Sequence, residues 1–129
     1  MIVDTSALLA VILDEPEARH FAGVIEHSFN PRLSAASYLE AALRLEYIDQ
    51  AARLDDFVGR LGLSVEPVTA EQARIAVMAN RRFGKGRHPA ALNYGDCFVY
   101  ALAKVTGEPL LFKGDDFGRT DIRVAVPVS

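Results

Sequence analysis

Hydrophobic residues in this chain fall in short runs, each closed by a turn residue or an acid. Ile2-Val3 predicts a short strand that ends at Asp4, with Thr5-Ser6 as the turn behind it. Ala7 to Leu13 is apolar on all sides, which at this length fits either a strand or a buried helix. Asp14-Glu15-Pro16 then has the form of an N-cap with a first-turn proline, opening a helix to about His27. Leu33 to Ala36 is a weak strand-like stretch. From Ser37 the spacing turns helical, with Leu39, Ala42, Leu43 and Tyr47 recurring at three and four residues. A helix from Arg53 to about Leu61 stops at Gly62, and Leu63 to Val68 reads as a strand. Thr69 and Gln72 have capping-box spacing and open a helix to about Phe83. Tyr94 to Val105 is the next helix, ended by Gly107, and Pro109–Phe112 and Val124–Val128 complete the set of short strands. Strands alternating with helices predict an α/β fold with a parallel sheet covered on both faces. In such a sheet the reactive cleft lies at the carboxyl ends of the strands, where Asp4 and Asp115 would project.

Size and composition narrow the class. The 129 residues fit one domain, 1–129, that buries roughly two thirds of its unfolded surface. A single cysteine, Cys97, excludes an internal disulfide and a cysteine-based zinc cluster, and it fits a reducing compartment. The opening Met1-Ile2-Val3-Asp4 carries an acid where a signal peptide would be apolar, and Ala7–Leu13 is far shorter than the ~20 residues of a membrane span. These features predict a soluble cytoplasmic protein with no membrane attachment. The net charge of −3 gives no global attraction to nucleic acid. The basic residues are nevertheless uneven: Arg81, Arg82, Lys85 and Arg87 crowd one Gly-containing segment, Arg81–Pro89, with the polarity of a mobile loop. Such a loop is either a solvated surface or an arm that contacts phosphates.

Four acids stop apolar runs: Asp4, Glu40, Asp96 and Asp115. If the runs are core elements, their ends can converge despite wide separation in sequence. Convergent carboxylates repel unless a hard cation lies between them, and all-oxygen donors suit magnesium or manganese. Each acid also has a local explanation. Glu40 has capping-box spacing to Ser37, Asp96 follows Asn93 by three in a first helical turn, and Asp115-Asp116 suits an ordinary turn. Asp4 resists such treatment, because an acid at the end of a buried strand costs energy unless it is paired or metal-bound. One metal site accounts for all four, whereas the local explanations need four separate causes. Cys97 reads as a packed, inert thiol, and His20, His27 and His88 lack metal-ligand spacing.

Taken together, Ile2-Val3-Asp4-Thr5-Ser6-Ala7-Leu8, Glu40 on an early helix, Asp96 ahead of Ala101-Leu102, and Lys113-Gly114-Asp115-Asp116-Phe117 resemble the PIN-domain ribonucleases, specifically the VapC-type toxins of toxin–antitoxin pairs. The resemblance spans essentially the whole chain. It implies a three-layer α/β/α sandwich with a short, mostly parallel sheet and a cytoplasmic endoribonuclease dependent on Mg2+ or Mn2+. It also implies a cognate VapB-type antitoxin, homodimerisation, and transfer or ribosomal RNA as substrate. Carried over residue by residue, Asp4, Glu40, Asp96 and Asp115 form the catalytic, metal-holding set, with Ser6 as polar neighbour and Asp116 as a supporting group. Arg81, Arg82, Lys85, Arg87, Lys104 and Lys113 are the candidates for holding the RNA backbone. Two other readings compete. One is a PIN-fold module that binds or regulates without cleaving. The other is an aspartate-dependent phosphatase, against which Ser6 stands where a second aspartate is needed.

Overall fold

The computed structural model describes residues 1–125. Four short strands, β1 (Ile2–Val3), β2 (Arg32–Ser34), β3 (Ser64–Glu66) and β4 (Leu110–Leu111), form one sheet in the order β3-β2-β1-β4. All three pairings are parallel, with Ile2 opposite both Arg32 and Leu110. Val124 adds an isolated parallel bridge to Leu110. The rest of the last expected strand, Val126–Val128, lies outside the described residues.

Alternation along the strands sorts the core into two halves. Val3, Leu33 and Leu111 face one cluster with α1 (Thr5–Ile12), α2 (Ala18–Glu26), α3 (Ala35–Glu46) and α4 (Leu54–Arg60). Ile2 and Leu110 face the other cluster with α5 (Ala70–Phe83) and α6 (Tyr94–Thr106). Period-two geometry on a sheet covered on both faces therefore produces the three layers. No helix among the described residues is long and apolar enough to cross a membrane.

Three local expectations are corrected. Thr5-Ser6 is not a turn: Asp4, in extended conformation, accepts the Ser6 amide at 3.0 Å and starts α1 at once. The ambiguous apolar run is thereby a helix, buried on nearly every side as an all-apolar helix must be. Asp14 does not cap α2. It sits at φ 53°, where the chain folds back over the end of α1, and α2 begins only at Ala18. Likewise α3 starts at Ala35, two residues before Ser37, because the Ser34 hydroxyl accepts the Ala36 amide at 3.2 Å. The buried face of α3 carries Ser37, Ala41 and Leu45, and Leu39 and Leu43, expected on the apolar stripe, are more than half exposed.

The elements that define the site are closed by clear signals. Asn93 caps α6, and Gly107 ends it at φ 69°, a left-handed position that glycine occupies without steric cost. The chain order β1, β2, β3 moves outward on one side of β1, and β4 then crosses to the other side. The crevice between the ends of β1 and β4 is thus a topological switch point, the usual ligand position in open parallel sheets.

The cap assignment is testable. Ser34→Ala should destabilise the protein by about 1 kcal/mol, while Ser37→Ala should have a much smaller effect in thermal or urea denaturation. Equal losses would place the start of α3 at Ser37 after all.

Candidate active site

Residue by residue, the switch point gathers acids from four elements. Asp4 ends β1 and is only 7 % exposed. Its Oδ2 accepts both the amide and the hydroxyl of Ser6, at 3.0 and 2.5 Å. The Ser6 oxygen in turn accepts the Lys113 amide at 2.9 Å, so the loop after β4 is tied to the carboxylate after β1. Thr5 donates to the Ser37 carbonyl at 3.3 Å, which fixes the first turn of α1 against α3, and Glu40 lies one turn further along. Asn93 and Asp96 form a reciprocal capping box, Asn93 Oδ1 accepting the Asp96 amide at 2.9 Å and Asp96 Oδ2 accepting the Asn93 amide at 3.0 Å. Gly95 lies between them, and a Cβ there would stand 2.9 Å from Glu40 Oε1, so only glycine leaves that carboxylate where it is.

These residues enclose a pocket of about 170 Å³ whose wall carries Asp4, Glu40, Asp96 and Asp116. Ser6, Asn93 and the buried Phe117 fill the gaps, and two cations, Arg44 and Lys113, complete the lining. Larger grooves lie along α5 and α6, but their linings are mostly apolar.

Burial raises the Asp4 pKa, and the nearby Glu40 charge raises it further, against the lowering effect of the Ser6 bonds. Asp96 is pushed up to about 6. Desolvation is the largest cause, the Asn93 amide opposes it, and the charges of Asp4, Asp116 and Glu40 add to it. Among the described residues none of the four acids is in a salt bridge. Lys113, though in the lining, has its ammonium 2.6 Å from Glu15 and 3.2 Å from Glu17.

An oxygen-only donor set whose carboxylates are in no salt bridge among the described residues fits a hard divalent ion. Among the described residues no three acidic side chains close on one point in the form of a ready metal cage.

Residues 1–123 match the PIN domain family. The chain belongs to that family. Ribonuclease VapC30 of Mycobacterium tuberculosis is 50% identical over 131 residues, covering 98% of this chain and 100% of the relative. Ribonuclease VapC of Mycolicibacterium smegmatis is 49% identical over 125 residues, covering 95% and 97%. Among solved structures, Mycobacterium tuberculosis VapC20, described as a sarcin-ricin loop cleaving toxin, superposes with a TM-score of 0.77 at 17% identity, covering 98% of both chains. A toxin–antitoxin complex from Klebsiella pneumoniae gives 0.75 at 14% identity with the same coverage. The chain is thus a member of the VapC ribonucleases, and the distant structures establish the three-layer fold.

Within this VapC-family framework the site residues are distributed unevenly. Asp4, Glu40, Asp96 and Ser6 come together as the sequence suggests. The fourth acid in the wall is Asp116, and its neighbour Asp115 lies outside the lining. Both aspartates are solvent-exposed, in a loop that runs from Gly114, at φ 107°, to the buried Phe117. Glu40 has no Ser37 cap to serve, since α3 begins earlier. Of the proposed RNA-holding cations only Lys113 reaches the pocket. Arg82 and Lys104 both pair with Asp121, at 3.4 and 2.6 Å. Arg81–Phe83 is still helix, and the segment beyond is pinned by Lys85 to Leu92 and Leu92 to Phe83 backbone bonds rather than free. Asn93, Gly95 and Arg44 were not singled out in advance. The Asn93–Asp96 spacing and the Glu40–Arg44 helical spacing were the available signals.

The pKa directions carry a sign. Asp4 and Asp96 titrate above their unfolded value of 3.8, so they favour folding at low pH, and this contribution is lost as pH rises, for Asp96 through about 6. The ion-free protein should therefore have a lower Tm at about pH 7.5 than at about pH 5, and Mn2+ should raise Tm far more at the higher pH, where it replaces no protons. Asp96→Asn should raise the ion-free Tm near neutrality and shrink the Mn2+ shift. A Tm that Mn2+ leaves unchanged at both pH values would remove the metal site.

Proposed function

We propose that this VapC-family chain is a metal-dependent endoribonuclease, carried by a single domain, in which Asp4 and Asp96 hold a divalent ion. Glu40 and Asp116 support that ion through water or a second ion. The observation that carries this reading is the meeting of four carboxylates in one small pocket, none of them in a salt bridge among the described residues. When bound, the ion would supply Lewis-acid activation of water and neutralise charge on the phosphate oxygens.

The chain's own residues do the rest. Ser6 holds Asp4 in one orientation through paired bonds to Oδ2, and through the Lys113 amide it couples that orientation to the loop bearing Asp116. Asn93 restrains the Asp96 carboxylate, and Gly95 admits Glu40 beside it. Glu40 and Asp116 are the groups available to accept the proton of an attacking water. Attack by water, with the ribose 3′ oxygen leaving, produces 5′-phosphate and 3′-hydroxyl ends. The phosphatase alternative finds no support, because Ser6 stands at the required second-acid position with its hydroxyl engaged on Asp4.

A VapB-type antitoxin fits as the neutralising partner, and an RNA of the transfer or ribosomal class as substrate, in the cytoplasm. Homodimerisation is supported by an exposed apolar face. Leu39, Leu43 and Tyr94 are 57, 53 and 82 % exposed and, with Phe98, line a groove that shares Glu40 with the acidic pocket. A contiguous apolar patch of this kind marks a protein interface.

Purified protein should cleave cellular RNA only with Mg2+ or Mn2+. Asp4→Asn and Asp96→Asn should each lose about a hundredfold or more of the rate. Asp116→Asn should be impaired well beyond Asp115→Asn. Activity in EDTA, or ends bearing 2′,3′-cyclic phosphate, would defeat the scheme. In analytical ultracentrifugation Leu43→Glu should shift a dimer to monomer, and a monomeric wild-type protein would refute the dimer.

A further inference from the structure

An acidic pocket has to admit a polyanion, and a bound ion neutralises only part of the charge of four carboxylates. A cation at the pocket wall is needed, and most of the basic side chains near the site are already engaged. Lys113 is held by Glu15 and Glu17, and Arg82 and Lys104 share Asp121. Arg119 donates to the Pro89 carbonyl, and Arg123 to the Gly107 carbonyl. Arg44 differs from these: it lines the acidic pocket, is exposed, and among the described residues makes no side-chain hydrogen bond or salt bridge.

Its position follows from the helix. Arg44 lies four residues after Glu40 on α3, so both side chains fall on one face. This is also the spacing of an ordinary helical ion pair, yet no Glu40–Arg44 contact within 4.0 Å is present. The guanidinium is thus near the carboxylates without being neutralised by them, and its planar fork matches two phosphate oxygens at once.

Resting on the nuclease reading, we infer that Arg44 is the residue that grips an RNA phosphate at the mouth of the acidic pocket and sets the backbone against the carboxylates. It takes the place of the Arg81–Arg87 cluster in that role. It holds substrate by charge and geometry and carries no proton.

The test uses Arg44→Gln, Arg44→Lys and, for comparison, Arg81→Gln. Binding of a fluorescein-labelled single-stranded RNA oligonucleotide is followed by anisotropy across a salt series without divalent ion, and cleavage kinetics are followed with Mn2+. Arg44→Gln should raise Kd and KM by about tenfold with kcat near wild type, and it should reduce the slope of log K against log salt by about 0.7. Arg44→Lys should recover the slope but only part of the affinity, since a point charge lacks the fork. Tm should hold, because the side chain has no partner to lose, and Arg81→Gln should change binding less. An Arg44→Gln protein with wild-type KM and salt slope overturns the inference. A wild-type protein that cleaves no RNA with Mn2+ sinks the nuclease reading instead, so the two failures are distinct.

Discussion

Everything at this site depends on burying a two-residue strand completely and stopping it with a charge. Ile2 and Val3 are 0 % exposed and lie between β2 and β4, so Asp4 has almost no freedom in where it emerges. The same carboxylate starts α1, because its oxygen accepts the Ser6 amide in the first turn of that helix. One side chain therefore ends a strand, caps a helix and forms the floor of the pocket. Moving it would disturb all three, which makes the acid structurally fixed before any chemistry is considered.

Against that fixed point the other acids are held at a cost. Burial and mutual repulsion raise Asp4 and Asp96 above the ordinary carboxylate range, the reverse of what a stabilising ion pair produces. The fold tolerates this because rigid neighbours determine each group: Ser6 for Asp4 and the Asn93 box for Asp96. Strain of this sort is characteristic of sites where a ligand supplies the missing charge. Nearby cations are paired elsewhere, Lys113 with Glu15 and Glu17, and Arg82 and Lys104 with Asp121.

Much of this could be read in advance, and the exceptions share a cause. The acids at Asp4, Glu40 and Asp96 stand out because each ends or opens an apolar stretch, and strand–helix alternation is enough to predict a covered parallel sheet. Ser34 lost to Ser37 as the apparent cap because both are serines ahead of an apolar helix, and only the strand pairing of Leu33 and Ser34 decides where β2 hands over to α3. Asp115 and Asp116 are chemically alike, so their order in the loop says nothing about which faces the pocket. That depends on the course of the folded loop between Gly114 and the buried Phe117, which sets Asp116 in the pocket lining. The cluster from Arg81 to Arg87 looked like a single basic arm, yet its members divide between a helix end, an ion pair with a distant aspartate and a pinned loop.

The amino-acid sequence by itself determined the layered α/β plan and the placing of Asp4, Glu40 and Asp96 at the ends of core elements, because periodicity and the cost of burying charge act locally and leave a trace in the pattern. Only tertiary structure decided that Asp116 and not Asp115 lines the pocket, which cations are paired, and that Arg44 stands in the pocket wall. Those outcomes depend on distances between groups far apart in the chain, and such distances exist only once β1 and β4 are paired and both faces of the sheet are packed.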